Sequence, residues 1–240
     1  ITVLGSAAGG GFPQWNCNCA NCSGVRAGTL RAKTRTQSSI FVRPDDGTDG
    51  VLFNASPDIL EQIRNSAVMQ PARHLRDSAI AGVVLMDGQI DHATGLFMLR
   101  ERNSKLPLWC TDPVAEDLTQ GNPVLRVLTH FCGVDRHAIA LDGASFEVPG
   151  VAGLSFRALP LSSKAAPYSP HRDNPVPGDN IGIVITDVND YFVGEVVPVQ
   201  AEGDATPEIE ALQAEIAARH GYRILDHRLV IYVERIEEKG

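Results

Sequence analysis

The stretch "IAGVVLMDGQIDHATG", residues 80–95, governs how the rest of the chain is read. Its first eight residues are almost all apolar and are bounded by polar ones, the pattern of a strand buried on both faces. Asp87, Gln89, Asp91 and His92 then follow within six residues. The C-terminal edge of a buried strand is where α/β enzymes place chemistry. Four metal-competent or hydrogen-bonding side chains there exceed what a solvated loop needs. Asp91 and His92 are adjacent, so their side chains diverge, yet a tight turn before a helix lets both reach one ion. Imidazole plus carboxylate suits iron or zinc with positions left for substrate or O₂. From spacing alone a second reading stands level: Asp91 caps a helix starting near His92, and His92 is a polar surface residue.

Working outward, residues 1–4 read as a short strand running into the glycine-rich "GSAAGGGFP". "SSIFVRP" (38–44) and "VLFNAS" (51–56) flank "DDGTDG", the signature of a hairpin. Residues 57–69 read as a helix with Ser56 as N-cap and Pro57 at its first position. Ser56 and Asp58 are read as a cap and a loop brace rather than catalysts. A helix is expected over 92–101, a strand at "LPLWCT", and short helices at "PVAEDLTQ" and "NPVLRVLTHF". "SFRALPL" and "NIGIVITD" are two more strands, with "YFVGEVV" as a partner. They frame an irregular segment, 162–179, that holds four prolines and is too long for a passive connection.

The 240 residues are 43% apolar and 21% charged, enough for one large domain or a domain with a small appendage. A net charge of −8 argues against nucleic acid or anionic membrane as a partner. No run of about 18 apolar residues exists to span a bilayer, and the N-terminus lacks the features of a signal peptide. The expectation is a cytoplasmic chain whose partner is a small molecule, with a homodimer left open.

Three of the five cysteines, Cys17, Cys19 and Cys22, fall in six positions as C-x-C-x-x-C. In a chain with no secretion signal this favours metal binding over disulfides. Clustered thiolates offer two or three ligands to one Zn²⁺, in a structural role because no general base stands beside them. The fourth ligand must come from elsewhere, and free thiols in a surface loop are the competing reading. Cys110 and Cys132 read as ordinary buried thiols.

Taken together, "VLGSAAGGGFPQWNCNCANCSG", "RTQSSI", "LFNASPDI", "LMDGQIDHATGL", "WCTD" and "PLSSKAAPYSPHRDNPVPGDNIG" resemble the pyrroloquinoline quinone biosynthesis protein B family over about residues 1–193. The resemblance implies an α/β fold, the metallo-β-lactamase-like αββα sandwich. Most of that superfamily carries H-x-H-x-D-H where this chain reads "DGQIDH". Asp87 and Gln89 thus replace the first two histidines, which implies a single iron site at Asp91 and His92 rather than a binuclear zinc hydrolase. It further implies a structural zinc at Cys17, Cys19 and Cys22. The implied reaction is iron-dependent hydroxylation of the tyrosine ring in the glutamate–tyrosine cross-linked diamino acid derived from the precursor peptide PqqA. Asp87 and Gln89 are then expected to line the substrate site. In "YSPHRDNP", His171 offers a catalytic base or ligand, Arg172 an anion-binding fork and Tyr168 an aromatic surface; a solvent-exposed proline-rich lid is the alternative.

The resemblance stops there. A downstream Met-Gly-His histidine and a "HINNTNP"-type segment are missing, so the sandwich is expected to be incomplete at its C-terminal end. Domains are expected at 1–198 and 199–240. The second reads as a capped helix and a strand, and "PEIEALQAEIAARHGYRILDHRLVIY" resembles the tail of a ferric uptake regulator over 26 residues. His220 or His227 could replace the missing ligand. The alternative function is a non-catalytic carrier for the quinone or its precursor.

Overall fold

Side-chain alternation explains the layers. In β2 (Ser39–Val42), β3 (Gly50–Phe53), β4 (Ile80–Val84) and β5 (Leu106–Cys110), neighbouring residues enter two different cores. Phe41, Leu52, Val83 and Leu108 pack with helix residues Ile59, Leu96, Val114, Leu118 and Leu128. Val42, Phe53, Val84 and Trp109 face Phe156, Ile181, Ile183 and Ile185. Strands covered on both faces must be apolar on both, which is why the run ending at Asp87 lacks polar alternation. The computed structural model describes residues 1–187 and the backbone of 192–196.

The first sheet has six strands in the order β1 (Thr2–Gly5), β2, β3, β4, β5, β6 (Val134–Ala138). The first three are antiparallel, and β3 through β6 run parallel. The second sheet is antiparallel, in the order β10 (Phe192–Val196), β9 (Ile181–Asp187), β8 (Leu154–Pro160), β7 (Ser145–Phe146). Phe156 is fully buried between the sheets, with its ring 5.6 Å from Phe53 and 5.7 Å from Phe146. Helix, sheet and sheet are the layers among the described residues, consistent with the metallo-β-lactamase sandwich. The expected hairpin is present, with Phe41 opposite Leu52.

Two helices differ from expectation. The helix after the hairpin runs Ile59–Asn65 (its cap is Asp58), and Ser56 instead accepts the Asp58 amide at 3.3 Å. Asp58 does act as a brace, taking the backbone and side-chain amides of Gln37 at 2.9 and 3.0 Å. The expected 92–101 helix is an α-helical turn, Ile90–Ala93, followed by a 3₁₀ segment, Thr94–Leu99. Its regular hydrogen-bond ladder breaks because the Ala55 amide takes the His92 carbonyl at 2.7 Å. Gly95 lies so close to the Ser56 carbonyl that a Cβ would sit 2.1 Å away.

Strand β6 was not anticipated. Cys132 is half-exposed rather than buried, whereas Cys110 is buried as expected. The chain divides into two compact units, Ile1–Pro198 and Val199–Gly240, and the described residues belong to the first. The expected 199–240 helix and strand, their likeness to a ferric uptake regulator, His220 and His227 all lie outside the described residues. Among the described residues no helix is long and apolar enough to cross a membrane.

Candidate metal centre

The loop after β4 is fastened from both sides. The Met86 amide donates to the Asn54 side chain at 3.1 Å, and the Ile181 amide donates to the Met86 carbonyl at 2.9 Å. Asn54 is the only described non-glycine residue with positive φ, at 59°, and it is buried. A side chain in that backbone region is strained, and such strain collects at functional loops. The Ala55 amide on the His92 carbonyl completes the clamp.

His92 is 6% exposed, which disposes of the reading as a polar surface residue, and Gln89 rather than Asp91 precedes its helical turn as the cap. The ring Nδ1 lies 2.7 Å from Asp87 Oδ1, which also accepts the Gln89 amide at 2.9 Å. An ionised carboxylate only accepts, so Nδ1 carries the proton and Nε2 is left for another partner. Nε2 lies 4.0 Å from Asp91 Oδ2. Burial opposes a charge on His92, but the Asp87 carboxylate, with Asp91 behind it, outweighs that cost and raises the imidazole pKa. A cation between Nε2 and Asp91 would use the same field. The donor set therefore fits one ion held by His92 and Asp91, with Asp87 orienting the imidazole from behind. Among the described residues no third donor of the ligand type converges there.

The other expected contacts are placed differently. Asp87 is 1% exposed and is engaged with His92, so it does not line a substrate site. Gln89 is half-buried beside it. His171 turns Nδ1 to Asp179 at 3.0 Å and Nε2 toward Glu116 at 3.6 Å, not to Asp91. Arg172 donates to the Ala165 carbonyl at 2.5 Å. Of the three expected residues of the 162–179 segment, Tyr168 is the one that touches the loop, through its hydroxyl on the Gly88 carbonyl.

Cys17, Cys19 and Cys22 bring their sulfur atoms within 4.8 Å of one another. Cys19 caps the helix Ala20–Arg26 and accepts the Cys22 amide at 3.5 Å. That amide, then the neighbouring Cys17, draws the Cys19 thiol down to about 7, toward the thiolate that a metal needs. Arg26 ties the loop by donating to the carbonyls of Gln14 and Cys17. Three clustered sulfurs fit Zn²⁺. Among the described residues no fourth histidine, cysteine or carboxylate joins them.

Three residues near the centre carried no sequence signal. Asn54 sits in an ordinary strand-to-loop junction. Asp117 lies within a short π-helical turn, Asp117–Gly121, fully buried against Gly88, where burial pushes its carboxyl pKa up against the Ser169 hydroxyl. Gly9 comes from far upstream, and a Cβ there would lie 3.5 Å from Asp91 Oδ2.

This architecture has relatives. A family model described as a beta-lactamase superfamily domain matches residues 50–220, which sets the class: a metallo-β-lactamase-fold protein. Coenzyme PQQ synthesis protein B of Azoarcus sp. (strain BH72) is 62% identical over 187 residues, covering 78% of this chain and 61% of the relative. The protein of that name from Methylobacillus flagellatus (strain ATCC 51484 / DSM 6875 / VKM B-1610 / KT) is 56% identical over 216 residues, covering 90% of this chain and 70% of the relative. The chain belongs to the coenzyme PQQ synthesis protein B family. Among solved structures, that of Zn(2+)-bound PqqB from Methylobacterium extorquens superposes with a TM-score of 0.71 and 33% identity, covering 89% of this chain and 69% of that one. The chain thus spans roughly two thirds of the relatives it matches.

Proposed function

We propose that the chain acts in pyrroloquinoline quinone biosynthesis as an iron-dependent oxygenase that hydroxylates the tyrosine ring of the glutamate–tyrosine cross-linked precursor. One observation carries this reading: His92 is buried and held by Asp87, with Nε2 toward Asp91. His92 and Asp91 would hold the ion, which supplies O₂ activation when bound. Asp87 fixes the ring and its tautomer. Asp87 commits Oδ1 to His92 and to the Gln89 amide, and it stands where a binuclear hydrolase would need a histidine. Tyr168, pinned to Gly88, borders the loop, while His171 and Arg172 act as braces of the 162–179 segment. In the balanced reaction a ring C–H becomes C–OH with one oxygen of O₂. The other oxygen leaves as water with two electrons and two protons from an external reductant.

Anaerobic iron loading, then exposure of the cross-linked diamino acid to O₂ and a reductant, tests this. Hydroxylated product is expected. Its absence from an iron-replete, folded sample overturns the reading. A carrier for the quinone or its precursor is the second reading, favoured by the convergence of only two donors at the loop among the described residues. Zinc bound one to one at the cysteines with no second metal would select it.

A further inference from the structure

The cysteine loop and the Asp91–His92 loop are far apart in sequence, yet one glycine turn joins them. Gly9 backs directly onto Asp91: a Cβ at Gly9 would lie 3.5, 3.8 and 3.9 Å from Oδ2, Cγ and Cβ of that residue. Ala would just fit at ordinary contact distance; a branched side chain would press the carboxylate away. The next two glycines have φ of 95° and 73°, so the turn holds a shape that only glycine adopts without strain. The far side of the turn is set by Gln14, whose Cγ and Nε2 would lie 3.0 and 3.2 Å from a Cβ on Gly10. Gln14 is itself part of the cysteine loop, its carbonyl accepting the Cys17 amide at 3.1 Å and the Arg26 guanidinium at 3.0 Å. The two ends of the turn are anchored independently, by Ala7 pairing with Thr36 and Ser38 at 3.0 and 2.9 Å and by the Phe12–Arg35 pairing, while between them the Gly10 amide reaches Gln37 at 3.3 Å.

We propose that Gly9 and Gln14 are positioning residues for Asp91: the turn walls the metal loop, Gln14 fastens that turn to the cysteine loop, and metal occupancy of the two sites is thereby coupled. The Gln14 carbonyl is fixed by the Cys17 amide and by Arg26, so any change in the cysteine loop on loss of its ion would reach the turn through that residue. Coupling of this kind is reciprocal in binding. The inference rests on the reading of Asp91 and His92 as a metal site, so its test must separate the two.

Mn²⁺ serves as the probe, because it seeks oxygen and nitrogen donors and avoids thiolates. Its affinity is read from the loss of the free-ion EPR signal, in zinc-loaded protein and in Gln14→Ala, Gly9→Val and Asp91→Ala. Hydrogen exchange of residues 5–14 is followed with zinc at the cysteines and after its removal by a chelator. The expected results are Mn²⁺ binding abolished in Asp91→Ala, weakened about tenfold in Gly9→Val and in Gln14→Ala with zinc retained, and exchange of 5–14 accelerated at least tenfold on zinc removal. Mn²⁺ binding unchanged in Gln14→Ala and Gly9→Val, or exchange indifferent to zinc, overturns the coupling and leaves the metal-site reading standing. Exchange that responds to zinc in a protein that never binds Mn²⁺ overturns the metal-site reading, and the coupling with it.

Discussion

Asp87 Oδ1 lies 2.7 Å from His92 Nδ1, and both residues are buried, one in the loop after β4 and the other in the helical turn that follows it. On the proposed reading, Asp87 serves as a support for His92 rather than as a metal ligand itself. Outer partners of this kind typically change metal affinity by about 10–100-fold. Asp87→Asn should therefore weaken metal binding at the loop by about that factor while leaving the cysteine-bound zinc in place. Asp87→Ala should in addition destabilise the fold by about 1–3 kcal/mol, because Nδ1 is left buried without an acceptor. Titration of the loop metal, with urea unfolding of the same variants, checks both; an Asp87→Asn protein with unaltered affinity contradicts the support role.

Asn54 carries two burdens at once, a positive φ of 59° and the hydrogen bond to the Met86 amide. Asn54→Gly relieves the first and loses the second, for a cost of about 1–3 kcal/mol. Asn54→Ala loses the bond and keeps the strained backbone, adding about 1 kcal/mol or more. Denaturant unfolding should place the glycine variant between the parent and the alanine variant. Equal loss in the two would mean that the backbone shape has no part in the clamp.

Asp117 gives a prediction about pH. Burial lifts its folded-state pKa above the ordinary 3.8. The folded protein then binds the proton more tightly than the unfolded chain. The stability this confers is complete at low pH and fades as pH climbs past the ordinary value to the folded-state one. Asp117→Asn cannot ionise, so its melting temperature relative to the parent should rise between acid and neutral pH, by about 2–4 °C for a 1 kcal/mol effect in a chain of this size. A difference that stays flat with pH would show that the carboxyl is not elevated.

How much of this was legible beforehand depended on how local the cause was. The buried strand and the 39–53 hairpin are set by neighbours within a few residues, and they read correctly; the three clustered cysteines, equally local, do bring their sulfurs together. Asp58 was legible as a brace for the same reason. The 92–101 helix misled because its interruption comes from the Ala55 amide, nearly forty residues upstream. Strand β6 was hidden because this edge strand carries Asp135, Arg136 and His137 in a row, with Asp135 and Arg136 exposed, and so resembles a loop in composition. Asp87 was recognised as a changed position, but its partner was not, since four residues separate it from His92. His171 and Arg172 were read from the chemistry of their side chains, which says nothing of the Asp179 and Ala165 contacts that hold them. Gly9 could not be placed at all, because nothing local in "AAGGGF" points to Asp91.

Metal analysis of the purified protein reaches the centre of this account most directly. After loading with zinc and then, without oxygen, with ferrous iron, the parent should hold one zinc and one iron per chain. Asp91→Ala should keep the zinc and lose the iron. A parent that retains zinc alone, or an Asp91→Ala protein that still carries both, would contradict the assignment of a second ion to Asp91 and His92.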